Sequence, residues 1–277
     1  MILTCIPALP LRAYVRYYYQ VDEQLLAGSQ LQPVPARSPQ IIEFMFGTPY
    51  RVQRIASDEI EEAQPVAIVG AQTHRRVNLI LGGNISAFTI AFEPGGCFAL
   101  FSVPADELTN ADFDATTVLG NALAGLHGRL GDLDAFDART LVMDKFLCER
   151  LPVSASDSPA VWAARELRRR NGGERVADLA ATAALSVRQF ERRFSHEIGL
   201  SPKVYARVVR FEAALRLKAA QPTTQWTVIA HSLGYFDQMH MVHDFNRLSG
   251  ESPSAVWDRL DMFVEPEVRT RGAPDTF

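Results

Sequence analysis

A short pattern near the C-terminus is written twice, 51 positions apart: Phe194, Gly199, Ser201 and Pro202 return as Phe245, Gly250, Ser252 and Pro253. The same preamble stands before each copy. Leu179-Ala180 leads to Ala184, Leu185 and the run Val187 to Ile198, and Ile229-Ala230 leads to Gly234, Tyr235 and a run up to Leu248. Two short helical segments around a tight turn form a helix-turn-helix, so two such units are expected in one chain. The turns differ. Phe236 is an extra residue in the second, and Ala184 stands where the first would favour glycine if its φ is positive.

Local chemistry sets the helix ends. Ser186 with Gln189 three residues on predicts a capping box, and Asp237 is a good N-cap for the second run. Gly199 and Gly250 suit the left-handed residue that closes a helix, and each Ser-Pro suits the cap and first position of the next. Phe190 with Phe194, and Met241 with Phe245, are spaced four apart and mark the inward stripe of each second helix.

The opposite faces follow from the period. Arg188, Glu191, Arg192 and Ser195 fall together on the first, and Gln238 or Met239 with Val242, His243 and Asn246 on the second. Arginine can give guanine a bidentate hydrogen bond, and glutamate can accept from the amino group of cytosine. Arg188, Gln189, Glu191, Arg192, Gln238, Met239, Val242 and His243 are therefore candidates for base edges. Ser186, Ser195, Arg207, Arg210, Asn246 and Arg247 are candidates for phosphates. Between the units, Pro202 to about Ala220 keeps a helical stripe and predicts a strut ~27 Å long. Successive major grooves on one face of B-DNA lie about 34 Å apart, a span that such a strut can bridge.

These residues resemble the AraC/XylS-type family of transcription regulators over roughly Pro159 to Asp258. The resemblance rests on Leu179-Ala180, Leu185-Ser186, Arg188-Gln189-Phe190, Arg193-Phe194, Gly199-x-Ser201-Pro202, Tyr205, Arg210, Ala213 and Leu217. It continues through Ile229-Ala230, Gly234-Tyr235-Phe236-Asp237-Gln238, His240, Phe245 and Gly250-x-Ser252-Pro253. Met241 departs from the family's usual phenylalanine by a conservative core change. The resemblance implies a seven-helix, two-lobed DNA-binding domain behind a sensing or dimerising domain.

Charge divides the chain in the same place. Residues 158–260 hold 15 Lys and Arg against 10 Asp and Glu, whereas residues 1–157 hold 11 against 18. A basic module behind an acidic one points to double-stranded DNA as partner of the C-terminal part alone. The expected organisation is a β-rich sensing or dimerisation domain at 1–150, a linker at 151–159, the DNA-binding domain at 160–260 and a tail at 261–277.

The first part predicts an α+β domain. Leu11, Tyr14, Val15 and Tyr18 have helical spacing. Strands are then expected over Gln40 to Phe46, Tyr50 to Ile55, Val66 to Gly70, Arg75 to Leu81 and Ile85 to Phe92, and helices over Val118 to Leu130 and Leu133 to Leu151. An antiparallel barrel or sandwich with helices along one edge fits that order. Phe92-Glu-Pro-Gly-Gly96, Gly70-Ala-Gln-Thr and Leu108-Thr also resemble the poorly characterised N-terminal domain of some AraC-type regulators. Phe44, Phe46, Phe88, Ile90 and Phe92 alternate along the strands, so one set must face the interior, either filling it or walling a ligand. Arg37, Glu43, Gln72 and Arg75 are the polar groups expected near the mouth of an effector pocket. An apolar stripe of Phe136, Leu141, Val142, Phe146 and Leu147 either covers the sheet or forms a homodimer interface.

Other chemistry is sparse. Three separated cysteines, Cys5, Cys97 and Cys148, fit a reducing cytoplasm and argue against a disulfide framework or thiolate zinc site. No cofactor, catalytic group or metal site is expected, nor a membrane span. Two readings stay open: a cytoplasmic one-component regulator, or an enzyme such as a DNA-repair protein fused to an AraC-type module. A regulator would have DNA, a small-molecule effector, a second copy of itself and, as an activator, RNA polymerase as partners.

Overall fold

The computed structural model describes residues 1–153 and 158–259. The middle of the expected linker and the tail from 261 lie outside the described residues. Eight strands form one antiparallel sheet: β1 Ile2–Cys5, β2 Val15–Pro33, β3 Ile41–Met45, β4 Arg51–Arg54, β5 Ile60–Glu62, β6 Val66–Val69, β7 Val77–Phe92 and β8 Asp112–Asp114. The order is β1-β2-β7-β3-β6-β8, with β4 joining β7 separately and carrying β5. The path is open and folds over on itself like a sandwich, so the barrel alternative does not hold in closed form.

Two long strands make that fold. The two segments expected at Arg75 to Leu81 and Ile85 to Phe92 are one strand, because pairing with β2 resumes on both sides of an irregularity at Gly82-Gly83. Before that point β7 pairs with β4, and after it with β3. β2 shifts register opposite the same point, between Leu25 and Gln30. The sheet therefore acquires two flanks facing each other across a concave side.

The helical spacing of Leu11, Tyr14, Val15 and Tyr18 has a different origin from the one expected. Only Leu9–Leu11 forms a 3-10 turn, and β2 begins at Val15. An irregularity between Val15 and Tyr17 slips the register by one residue. It lets Val15 and Tyr18, three apart, enter the same core. A bulge thus mimics the period of a helix.

On the convex side, Ile42, Phe44, Phe88, Ile90 and Phe92 pack beneath four helices, α1 Gly96–Phe101, α2 Ala115–Leu119, α3 Ala122–Gly131 and α4 Phe136–Cys148. Each such buried side chain contributes about 1.5–3 kcal/mol. The bulky aromatic set is therefore spent under the helices. Alternation turns Ile41 and Glu43 of β3 toward the concave side, and Thr89 of β7 lies opposite Glu43 there. The helix expected from Val118 to Leu130 is divided by Gly120 at φ 96°. In α4, Phe136, Phe146 and Leu147 are buried against the sheet, Val142 is half-buried, and Leu141 alone of the stripe is exposed. That stripe covers the sheet.

Seven helices follow among the described residues: α5 Pro159–Arg169, α6 Val176–Thr182, α7 Val187–Ile198, α8 Pro202–Ala220, α9 Trp226–Ser232, α10 Gln238–Ser249 and α11 Pro253–Arg259. None of the described helices is long and apolar enough to cross a membrane. α6-α7 and α9-α10 are the two repeated units, and α8 is the strut between them. Tyr205 of α8 meets Phe194 of α7 edge-on at 5.6 Å between centroids, and Phe211 meets Phe245 of α10 at 4.7 Å. One helix thus sets the positions of both.

The two halves are closely joined. Ala36 and Ala71 are buried within the core of the helical half. The Ala36 N–H donates to the Leu248 carbonyl at 2.8 Å, and Glu212 of α8 accepts from the Ser38 N–H and hydroxyl at 2.5 and 2.8 Å. Arg168 pairs with Glu93 at 2.5 Å, and Arg75 with Glu251 at 3.2 Å. Gly199, at φ 95°, closes α7 and receives the Thr109 hydroxyl on its carbonyl. A Cβ there would lie 3.0 Å from the Ala105 carbonyl oxygen, so glycine serves both the helix end and the seam.

Candidate nucleic-acid interface and effector cavity

α7 starts as its sequence dictates. Ser186 Oγ accepts from the Gln189 N–H at 3.3 Å, and the Ser186 N–H donates to Gln189 Oε1 at 3.2 Å, completing the capping box. Ser186 Oγ also donates to Gln189 Oε1 at 2.9 Å. The Gln189 carbonyl oxygen is therefore committed to the helix end, and its amide nitrogen alone remains for a base. Arg188, Glu191 and Arg192 are exposed and make no hydrogen bond or ion pair among the described residues, whereas Ser195 is half-buried. Arg193, on another face, is paired with Glu197 at 2.8 Å.

α10 is capped by Asp237, whose Oδ1 accepts from the His240 N–H at 2.7 Å. Gln238, Met239, His243, Asn246 and Arg247 are exposed, and Val242 is half-buried. Phe236, the extra residue of the second turn, stands 92% exposed at the entry to this helix. Its neighbour Tyr235 is buried, which fixes the turn and leaves the phenylalanine ring in solvent. Ala184 and Gly234 occupy the corresponding positions of the two turns at φ 54° and 72°.

Two expected phosphate ligands are occupied elsewhere. Arg207 of α8 reaches Asp244 of α10 at 3.3 Å. Arg210 donates to the Gly172 carbonyl at 2.7 Å and lies 5.2 Å from the centre of the Tyr235 ring. Both arginines are half-buried and tie the strut to its neighbours. Burial pushes the Asp244 carboxyl up, and the positive charge of Arg207 works against it.

The concave side of the sheet encloses a cavity of about 300 Å³. Three of the four polar groups expected at an effector pocket, Arg37, Glu43 and Gln72, line it. The fourth does not. Arg75 turns toward the seam, where Asn78 Oδ1 accepts from it at 2.6 and 3.1 Å and Glu251 pairs with it. Glu43 is buried and accepts from the Tyr50 hydroxyl, with Thr89 at 3.5 Å. Burial pushes its carboxyl above the usual range, against the lowering effects of Tyr50, Arg37 and Thr89. Tyr50, Arg54 and Asp112 also line the cavity, and sequence reasoning did not place them there. Asp112 enters only because β8 pairs with β6, a contact between segments 43 residues apart in chain that no local pattern signals.

Residues 179–259 match a family described as helix-turn-helix domain, and residues 3–114 match a domain of unknown function (DUF6597). Over 86 residues the chain is 36% identical to the uncharacterized HTH-type transcriptional regulator YidL of Escherichia coli K12, and 38% identical to the HTH-type transcriptional regulator Rv1931c of Mycobacterium tuberculosis. These matches cover 31% of this chain and 29% and 32% of those proteins, so it spans about a third of their length. The crystal structure of ToxT from Vibrio cholerae O395 is similar with a TM-score of 0.52 at 9% identity, over 88% of this chain and 98% of that one. ToxT bound to (E)-4-(8-methylnaphthalen-1-yl)but-3-enoic acid gives 0.52 at 10% identity, over 87% and 98%. At these identities the likeness is one of fold.

Proposed function

We propose that the protein is a sequence-specific, DNA-binding transcription regulator of AraC type, and not an enzyme, whose N-terminal part responds to a small molecule; the helix-turn-helix match over residues 179–259 supports this reading. The observation that carries this reading is the pair of capped helices α7 and α10, each with a polar face turned to solvent and anchored from behind by one strut. Arg188, Glu191 and Arg192 read base edges from α7. Gln238, Met239, Val242 and His243 do so from α10, with Asn246 and Arg247 on the backbone. The protein acts in the compartment that holds its DNA. The cavity in the sheet supplies a place for an effector, and ToxT, a neighbour in fold, has been crystallised with an organic acid.

Selection of the full chain on randomised duplex DNA tests the reading. Enrichment of a motif with two elements about one helical turn apart is expected. Recovery of unenriched sequence, with affinity indifferent to base composition, sinks it.

A further inference from the structure

Two polar groups in the cavity lack partners. The Nε of Arg37 is closed off from solvent without an acceptor, and the Oε1 of Gln72, a residue only 3% exposed, is without a donor among the described residues. Arg37 makes no ion pair there either. Of the acidic groups around the same cavity, Glu61 and Asp112 both pair with Arg54, Asp114 accepts from the Thr116 N–H and hydroxyl at 2.8 and 2.7 Å, Glu43 accepts from Tyr50, and Glu62 is exposed to solvent. Glu43 feels the charge of Arg37 with no ion pair between them, and a guanidinium nitrogen shut off without an acceptor costs free energy that an incoming anion would return. Much of the remaining wall is apolar, with Ile41, Val52, Ala67, Val69, Val77 and Leu79.

The backbone that carries these groups is also the seam with the helical half. Ala36, Arg37 and Ser38 are consecutive: the first is bonded to Leu248 at the end of α10, the second lines the cavity, and the third is held by Glu212 of α8. Arg37 and Gln72 exchange both main-chain hydrogen bonds, at 3.0 and 2.9 Å, so the two polar groups move as one. Ala71, beside Gln72, is wholly buried in the core of the helical half.

Resting on the small-molecule response proposed above, we infer that the cavity takes a small hydroxylated organic acid, its carboxylate held by Arg37 and its hydroxyl donating to Gln72. Its capture is passed to α8 and α10 through Ser38 and Ala36. The anion supplies the acceptor that Arg37 lacks, and the hydroxyl the donor that Gln72 lacks. Any shift of Arg37 toward the ligand moves residues that bond directly to both helices.

The test uses the full chain and four ring compounds of nearly equal size: 3-hydroxybenzoate, benzoate, 3-hydroxybenzamide and 3-hydroxybenzylamine. Millimolar 3-hydroxybenzoate should raise the melting temperature by a few degrees, benzoate by less, and the amide and amine not at all. Arg37→Gln should erase the preference for acid while raising the melting temperature of the free chain, since it removes a guanidinium nitrogen shut off without an acceptor, and Arg37→Lys should keep the preference. In the wild-type chain 3-hydroxybenzoate should change DNA affinity severalfold. Ser38→Ala should still be stabilised by the acid but lose that change. Equal or greater stabilisation by the amide or the amine, or by none of the four, overturns the ligand class. Stabilisation by acid with unaltered DNA affinity overturns the coupling. Failure of the wild-type chain to bind DNA under any condition would instead remove the regulator reading, and the melting comparison would still decide the ligand.

Discussion

Arg207 of the strut and Asp244 of α10 face each other at 3.3 Å, with the carboxylate largely shielded from solvent. The pair joins α10 to α8 beside the Phe211–Phe245 ring contact. Arg207→Ala should lower stability by about 1–2 kcal/mol, because it leaves a shielded carboxylate alone, and Asp244→Asn in the same chain should recover most of the loss. DNA affinity should fall with an unchanged salt dependence. A slope shallower by about 0.9 in a log-log titration would instead make Arg207 a phosphate ligand.

Arg188 and Arg192 are exposed on α7. Arg188→Ala and Arg192→Ala should each relax preference at one half of the site by about 1–3 kcal/mol, leaving the half read by α10 as it was. Selection on randomised DNA with each variant measures this, and an unchanged motif for both would place the reading face elsewhere.

Ala184 and Gly234 share a left-handed backbone conformation in the two turns. Ala184→Gly should stabilise the chain, and Gly234→Ala destabilise it, each by about 1 kcal/mol, since nothing lies within 4 Å of a Cβ placed at Gly234 and the backbone alone sets the cost. Denaturant titration of both variants checks the sign. Gly199→Ala should cost more than Gly234→Ala, because there the added carbon also meets the Ala105 carbonyl.

Glu43 is shut inside the sheet with its carboxyl pushed up by burial. The folded chain therefore keeps a proton that the unfolded chain releases as pH rises past the ordinary carboxylate value. Stability contributed by this group is complete below that value and declines through the window up to the raised one, by at most about 1.4 kcal/mol per pH unit. Glu43→Gln should flatten that decline and be more stable than the parent at neutral pH, with the Tyr50 hydroxyl still donating to the amide oxygen. Urea unfolding at a series of pH values decides it.

The helical half was legible because its information is local. The capping box at Ser186 and Gln189, the glycines at the helix ends and the four-residue spacing of Phe190 and Phe194 each concern neighbours in sequence. The sheet was legible in its strands but not in their partners. The bulge at Val15 disguised a strand as a helix, and Gly82-Gly83 read as an end when it was an irregularity within one strand. Arg37, Glu43 and Gln72 could be found as polar groups in apolar surroundings, whereas Arg75 could not be told from them until the seam was known. The fates of Arg207 and Arg210 depended on Asp244 and Gly172, more than 35 residues away in either direction.

Ala36 and Ala71 lie inside the core of the opposite half, and this bears on how such a protein can be rebuilt. A hybrid made by cutting between α4 and α5 and attaching a foreign sensor would leave two vacancies in the helical core and strip the carboxylate of Glu212 of its two donors. The portable unit is therefore not the C-terminal segment of the gene. It is that segment together with whatever pair of loops fills those places, and an exchange of sensors should transplant cleanly only when the graft carries its own equivalents of both alanines and of Ser38.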